Sequence, residues 1–161
     1  MTRTEAEQAL LDLINTSAIR QSLATDVDIL DAEKFGADSQ LLIDPPFILM
    51  RPLRFEYVGE NKRPGDIYGT TYGDTDFYVG FLIGARNYRS PQDRLHGGVG
   101  DVGVNELLSG LEELLRGVNL STSNRAPGVP RVFLVKSESE EDAEGVTVYS
   151  LTVRVVGLIL E

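Results

Sequence analysis

Residues 77–88, FYVGFLIGARNY, constrain the fold of this chain more than any other segment. Successive side chains of a β-strand point to opposite faces, so alternate residues share a face. One of the two faces is entirely apolar here, and it consists of Phe77, Val79, Phe81, Ile83 and Ala85. This alternation predicts a strand with one face in a hydrophobic core. The opposite face mixes polar, charged and apolar side chains, which is typical of a subunit contact or of partial solvent exposure.

A helix predicted downstream supplies an apolar partner for this strand. Its apolar residues recur at intervals of three and four, which places them on one stripe of a helix. The stripe consists of Val104, Leu107, Leu108, Leu111, Leu114 and Leu115. Gly117 follows it and is suited to the C-terminal cap. We therefore predict that this helix covers the apolar face of the strand.

The first part of the chain predicts a second helix and a short strand. Residues 4–23 carry apolar side chains at helical spacing. Thr4 and Glu7 have the spacing of an N-terminal capping box, so the helix is expected to begin there. Residues 27–31, VDILD, predict a short strand.

A longer strand is predicted over residues 47–59, directly after two prolines that impose extended geometry. Alternation within it places Phe47 and Phe55 on the same face. Pro52 cannot donate a hydrogen bond to a neighbouring strand, so it indicates an edge position or a bulge.

Residues 132–136 and 146–160 predict an antiparallel hairpin, and the odd-numbered residues of the last strand form its more apolar face. The connection is acidic and contains Glu138, Glu140, Glu141, Asp142 and Glu144. These carboxylates, like Asp74 and Asp76, are of the type that binds hard cations. Neither group has EF-hand spacing, and an acidic hairpin turn is normally solvated. We predict no metal site.

Together these elements predict an α+β fold with a mostly antiparallel sheet of long strands and two main helices packed on one face. The 161 residues are 42% hydrophobic, which suits one domain over residues 1–161. No internal repeat or interior domain boundary is apparent.

Charge and composition exclude several functional classes. The formal net charge is −10, which argues against a phosphate-binding surface. This charge has two interpretations: it provides solubility, or it forms a wall past which DNA slides without sticking. Cysteine is absent, which excludes disulfides and thiolate metal sites. No apolar run reaches the ~18 to 20 residues of a membrane span, so we expect a soluble protein that is intracellular at synthesis.

The sequence contains no arrangement typical of an enzyme. Gly98, Gly100 and Gly103 match G-x-G-x-x-G, but the tight turn of a dinucleotide-binding fold is missing and Asp101 would repel a pyrophosphate. His96 is the only histidine, which is too few for a paired-histidine metal site. We predict no cofactor and no catalytic activity.

The order and pattern of these elements resemble a known family of structural proteins. The segments that carry the resemblance are DTDFYVGFLIGARNY, ELLSGLEELLRG, VFLVKSE and VTVYSLTVRVVGLIL. Together with the N-terminal helix and the long glycine-containing loop, they resemble small tail proteins of Mu-like phages and prophages. More broadly, they resemble the tail terminators of long-tailed phages.

This resemblance implies a subunit that assembles as a homo-hexameric ring on the last ring of the tail tube, stops tube polymerisation and presents a surface to the head or neck. The implied partners are the tail tube protein, the neck or head-completion protein and, in a contractile tail, the sheath. DNA would pass through the ring without specific binding, and the acidic turn is a candidate for the lumen. The implied location is the virion tail, with the host cytoplasm as the site of assembly.

Under this hypothesis the mixed strand face meets neighbouring subunits, and two loops at residues 60–76 and 89–103 become ordered on the tube or neck. The predicted interface residues are Tyr78, Leu82, Arg86, Tyr88 and Arg154. The predicted docking residues are Arg63, Tyr68, Tyr72, Arg89, Arg94 and His96. Because Arg86 and Arg154 lie inside strands, each marks an exposed face or edge, or pairs across a subunit interface.

Three other functions remain open. A neck or head-to-tail connector has a similar composition and also forms a ring, but its loss leaves normal tails unattached to heads. A small enzyme requires a pocket that gathers His96 or several carboxylates. A bacterial adaptor module binds a cellular protein and forms no ring.

Overall fold

The structure of the protein is a computed structural model. It describes residues 1–22, 26–34, 36–37, 43–57, 75–86, 96, 103–120, 130–140 and 146–158. The helices are α1 (Arg3–Asn15), α2 (Ala18–Ser22) and α3 (Val104–Leu115), with a 3₁₀ turn at Ala32–Lys34. The strands are β1 (Asp26–Ile29), β2 (Phe47–Tyr57), β3 (Thr75–Arg86), β4 (Arg131–Ser139) and β5 (Val146–Leu158).

The five strands form one sheet in the order β1-β2-β3-β5-β4. β1 runs parallel to β2, and every other neighbouring pair is antiparallel. The predicted α+β class with a mostly antiparallel sheet is therefore confirmed. Within the described ranges, no helix is long and apolar enough to cross a membrane.

The predicted apolar face of β3 is fully buried. The α3 stripe belongs to the same hydrophobic core, with Leu107 and Leu111 fully buried and Leu108 half-buried against it. α1 contributes Leu10 and Ile14 to this core. We call this side of the sheet the core face and the opposite side the open face.

β2 contains a bulge at the position that Pro52 indicated. The pairing with β3 shifts register between Pro52 and Arg54, so one extra residue, Leu53, is inserted. The insertion reverses the alternation, and the prediction that Phe55 shares a face with Phe47 is wrong. The Phe55 ring stacks on the buried Phe77 ring with centroids 4.5 Å apart. Pro52 lies beyond β1, which pairs only with the first four residues of β2.

β5 contains a second irregularity near its end. Its odd-numbered residues Leu151, Val153 and Val155 are buried as predicted, but the next buried residue is Leu158. The pairing with β3 shifts register here, and Gly157 adopts a positive φ of 83°. Because the backbone leaves the regular pleat at this glycine, the buried position after it is even-numbered and not odd-numbered. The predicted odd-numbered position Ile159 lies outside the described residues.

The N-terminal helix begins and ends differently from the prediction. Its capping box is formed by Thr2 and Glu5 and not by Thr4 and Glu7. The backbone N–H of Glu5 donates to Thr2 Oγ1 at 3.3 Å, and the backbone N–H of Thr2 donates to Glu5 Oε2 at 2.8 Å. Glu7 instead forms an ion pair with Arg3 at 3.3 Å.

The predicted helix over residues 4–23 is interrupted after Asn15. The hydroxyls of Thr16 and Ser17 donate to backbone carbonyls of the last turn, and this competition with the helical pattern ends α1. The chain then forms α2, in which Ile19 is buried against the core.

Candidate functional site

The open face is closed to solvent at one end and exposed at the other. Phe47 and Leu49 are fully buried, although they lie outside the core cluster. The Phe47 ring lies directly over Gly84, because a Cβ added to this glycine would come within 2.2 Å of the ring. Toward the other end of β2, Arg51 and Arg54 are exposed. The accessible part of the open face therefore begins beyond Leu49.

A row of alternating arginine and aromatic residues crosses this accessible part. Arg54 pairs with Tyr78, Tyr78 with Arg154, and Arg154 with Phe133, so the row spans four strands. The Arg54 Cζ lies 4.3 Å from the centre of the Tyr78 ring. The Arg154 Cζ lies 5.7 Å from the centre of the Phe133 ring. Both distances allow attraction between a guanidinium and the face of an aromatic ring.

The next row across the sheet adds two cations. Arg51 pairs with Gly80, which pairs with Thr152, which in turn pairs with Lys136. These two rows form a surface that we call the basic patch. It consists of Arg51, Arg54, Tyr78, Phe133, Lys136 and Arg154.

Carboxylates are interspersed with the cations of the basic patch. Glu56 lies 3.0 Å from Arg54, and Asp76 lies 3.8 Å from Arg154. Lys136 lies 2.6 Å from Glu138. These contacts orient the cations, but the Arg54, Lys136 and Arg154 side chains remain 41% to 61% exposed. Each cation therefore keeps donors directed to solvent or to a partner.

Apolar side chains are exposed beside the same cations. The exposed fraction is 41% for Leu53, 42% for Phe133 and 49% for Val135. Arginine and tyrosine next to exposed apolar groups are typical of the centres of protein–protein interfaces, where they contribute much of the binding energy. The arrangement is suited to binding another macromolecule.

Three of the predicted interface residues lie on this face. Tyr78 and Arg154 belong to the basic patch, and Leu82 is half-buried between Leu49 and Ser150 of the neighbouring strands. Arg86 pairs with Val146 at the end of β3, and its side chain lies outside the described residues. Tyr88 also lies outside them. Their role in a subunit interface stays a prediction.

The sequence analysis missed Arg54 and Phe133. Their partners were predicted as interface residues, but the pairing of Arg54 with Tyr78 depends on the bulge after Pro52. Phe133 reaches Arg154 because β4 is placed at the edge beside β5. The signal available in the sequence was the position of Arg54 and Phe133 within predicted strands.

The predicted docking residues fall almost entirely outside the described part of the chain, which does not include Arg63, Tyr68, Tyr72, Arg89 or Arg94. His96 is described and is exposed. The prediction that Glu138 lies in the acidic turn is wrong, because β4 continues to Ser139 and Glu138 pairs with Ser150 of β5. Glu138 and Glu140 are exposed, and the Glu140 backbone N–H donates to the Val148 carbonyl at 2.9 Å. Glu141, Asp142 and Glu144 lie outside the described residues.

The carboxylates named as candidate cation ligands are only partly among the described residues. Asp76 is described and contacts Arg154, whereas Asp74 is not among the described residues. Across the ranges that the structure covers, no group of three or more histidines and carboxylates is arranged to hold a metal ion.

Comparison with known proteins shows similarity of fold and not of sequence. No protein-family model matches the chain, and a search of curated proteins finds no match. Among solved structures, the chain is similar to one from the "Virion of native gene transfer agent (GTA) particle". The alignment has a TM-score of 0.56 at 12% sequence identity, and it covers 94% of this chain and 92% of the other. At this identity the likeness shows that the two chains share a fold.

Proposed function

We propose that this chain is a structural protein of a phage-like virion, in which it caps the tail tube as a hexameric ring. The observation that carries the proposal is the shared fold with a chain of a gene transfer agent virion, which extends over nearly the full length of both chains. The resemblance of the element order to tail terminators supports the more specific role in the tail.

The surface of the protein is consistent with a role in assembly. The basic patch combines cations, aromatic rings and exposed apolar side chains, which is the chemistry of a protein contact. A closed ring has no free end at which subunits continue to add, which suits a protein that stops polymerisation. The net charge of −10 suits a ring through which DNA passes without sticking.

In this proposal the protein acts by geometry and not by catalysis. One side of the ring binds the last ring of tail tube subunits, and the other side binds the neck or head-completion protein. In a contractile tail the sheath is a further partner. The protein resides in the virion tail and assembles in the host cytoplasm.

The ring is tested by the native mass of the purified protein. We expect a species near 106 kDa, six times the 17.7 kDa of one chain. The measurement is native mass spectrometry, with and without isolated tail tubes. A protein that remains monomeric in both conditions contradicts the ring.

The role in the tail is tested by removing the gene and imaging the particles. Loss of a terminator leaves tails of irregular length, and supplying the gene in trans restores the uniform length. Normal tails that are not attached to heads identify a connector instead. Unchanged particles contradict both virion roles and favour the enzyme or adaptor alternatives.

A further inference from the structure

We propose that the basic patch binds the acidic side of α3 from a second copy of this chain. Glu106 and Glu113 are seven residues apart and share the exposed side of the helix, and Glu112 lies at its flank. We call these three residues the acidic stripe. This inference rests on the proposed function and deepens it, because it names the contact between neighbouring subunits of the ring.

The basic patch favours a protein partner over DNA. Glu56, Asp76 and Glu138 divide its cations, so the patch lacks the continuous row of positive charge that a phosphate backbone binds. Separate glutamates on a protein surface can each approach one of these cations without approaching the neighbouring carboxylates. The exposed Leu53 and Phe133 also need an apolar neighbour, which a protein surface supplies.

Among the described residues of its own subunit, the acidic stripe forms no ion pair. Glu106 and Glu113 are exposed, and Glu112 is half-buried. Glu112 and Glu113 lie in the last turn of α3, which contains no basic residue. Carboxylates are unfavourable there, because the C-terminal end of a helix carries a partial negative charge. A cation from another subunit would offset this cost.

The acidic residues of α1 differ from those of the stripe, because each of them has a partner. Glu5 accepts from the Thr2 backbone N–H, Glu7 pairs with Arg3, and Asp12 accepts from Gln8. In the part of the chain that the structure describes, none of the three stripe glutamates forms an ion pair. Of the two long helices, α3 is therefore the one with carboxylates available to a second copy.

The two surfaces belong to different layers of the subunit. The basic patch lies on the open face, whereas α3 packs its buried side into the core on the opposite face. Each subunit then presents one patch and one stripe, so that contacts between copies run head to tail. A head-to-tail contact of this kind forms a ring when its rotation closes.

The test reverses the charge on each surface separately and then on both. One variant carries Arg51→Glu and Arg54→Glu, and the other carries Glu106→Lys and Glu113→Lys. We expect each variant alone to shift from about 106 kDa to 17.7 kDa in native mass spectrometry, with association weakened at least ~100-fold. An equimolar mixture of the two variants restores complementary charges at every interface, and it should return to the larger mass.

Two matched controls separate the contact from general charge effects. Arg51→Lys with Arg54→Lys keeps the charge of the patch and should keep the ring. Asp12→Lys reverses one carboxylate on α1, outside the stripe, and should leave the mass unchanged. Circular dichroism of every variant checks that it folds, as expected for substitutions at exposed positions.

The outcomes distinguish this inference from the proposed function. Variants that remain near 106 kDa, alone and at about 1 M salt, overturn the contact while the ring stands. A wild-type protein that stays at 17.7 kDa at about 1 mM also overturns the contact, and the tail-length experiment then decides the proposed function by itself. Binding of duplex DNA that is lost only in the patch variant overturns the inference in favour of a lumen-facing patch.

Discussion

At the scale of single residues, a substitution at Gly117 measures the effect of backbone conformation without an effect of packing. It follows α3 with a φ of 67°, and a Cβ added there would meet no atom within 4 Å. We expect Gly117→Ala to lower the free energy of unfolding by about 1 kcal/mol, because only the left-handed backbone opposes the methyl group. Gly117→Asn should cost less. The measurement is urea denaturation.

Gly110 provides the matched control for this substitution. It lies inside α3, where an added Cβ would be in ordinary contact with Ile19 at 3.4 Å. Gly110→Ala should therefore stabilise the protein by about 0.5 to 1 kcal/mol. If Gly117→Ala raised the free energy of unfolding as Gly110→Ala does, the left-handed conformation of Gly117 would be contradicted.

Replacement by alanine should have different effects at Gly84 and at Gly80, although both lie in β3. A Cβ at Gly84 would come within 2.2 Å of the Phe47 ring, which is fully buried and would have to shift. A Cβ at Gly80 would lie 3.3 Å from the exposed and flexible Leu53 side chain. We expect Gly84→Ala to cost about 1 to 3 kcal/mol and Gly80→Ala distinctly less. Thermal unfolding of both variants checks the difference, and Phe47→Leu should recover part of the loss in the Gly84→Ala background. Equal losses would place the Phe47 ring elsewhere.

At the scale of elements, a lysine fixes the short edge strand β1 to the turn that follows it. Lys34 Nζ lies 2.7 Å from Asp28 Oδ2 and 3.7 Å from Asp31 Oδ2. The hydrogen bond from Lys34 lowers the pKa of Asp28, and a second hydrogen bond from the Ile29 backbone N–H lowers it further. The hydrogen bond to Asp28 also raises the pKa of Lys34.

The sign of these pKa shifts predicts how the stability of β1 depends on pH. The carboxylate of Asp28 stabilises the fold above its unfolded pKa of about 3.8, and this contribution disappears as the pH falls through the lowered folded value. Asp28→Asn should therefore be less stable than wild type at pH 7, and the difference should shrink as the pH falls below about 3.8 and through the lowered folded pKa. Denaturant unfolding over this range of pH measures the difference. A difference that does not shrink at low pH would show that the amide disturbs β1 for another reason.

Elements with a strong period were predictable from the sequence, whereas most interruptions of the period were not, and the bulge that Pro52 indicated is the exception. The face of β3 and the stripe of α3 follow from the spacing of their apolar residues. In contrast, T-x-x-E occurs at Thr2 and again at Thr4, and spacing alone does not choose between the two caps. In the structure the helix begins at Arg3, with Thr2 as its N-cap.

The candidate site was only partly predictable for the same reason. Tyr78 and Arg154 follow from the alternation of their strands. Arg54 and Phe133 join them only after the bulge in β2 and the order of the strands have set the register across the sheet. Register of this kind depends on packing between segments distant in sequence, which no local pattern reports.

At the scale of the whole molecule, the central strand β3 is paired more extensively than the edge strand β1. β3 pairs along its length with β2 on one side and with β5 on the other, whereas β1 pairs with only four residues of β2. We expect the amides of β3 to exchange hydrogen only through global unfolding and those of β1 through local opening, because β1 has few buried contacts to lose. Native-state hydrogen exchange measures both.

A substitution in the core tests whether the edge strand β1 opens separately from the rest of the protein. Leu111 is fully buried in α3, so Leu111→Ala should lower the global free energy of unfolding by about 2 to 5 kcal/mol. The β3 amides should then exchange faster by the same free energy, because their exchange requires the core to open. The β1 amides should change little, since their opening leaves Leu111 buried. An equal acceleration in both strands would mean that β1 opens only together with the core, and that the sheet unfolds as one unit from edge to centre.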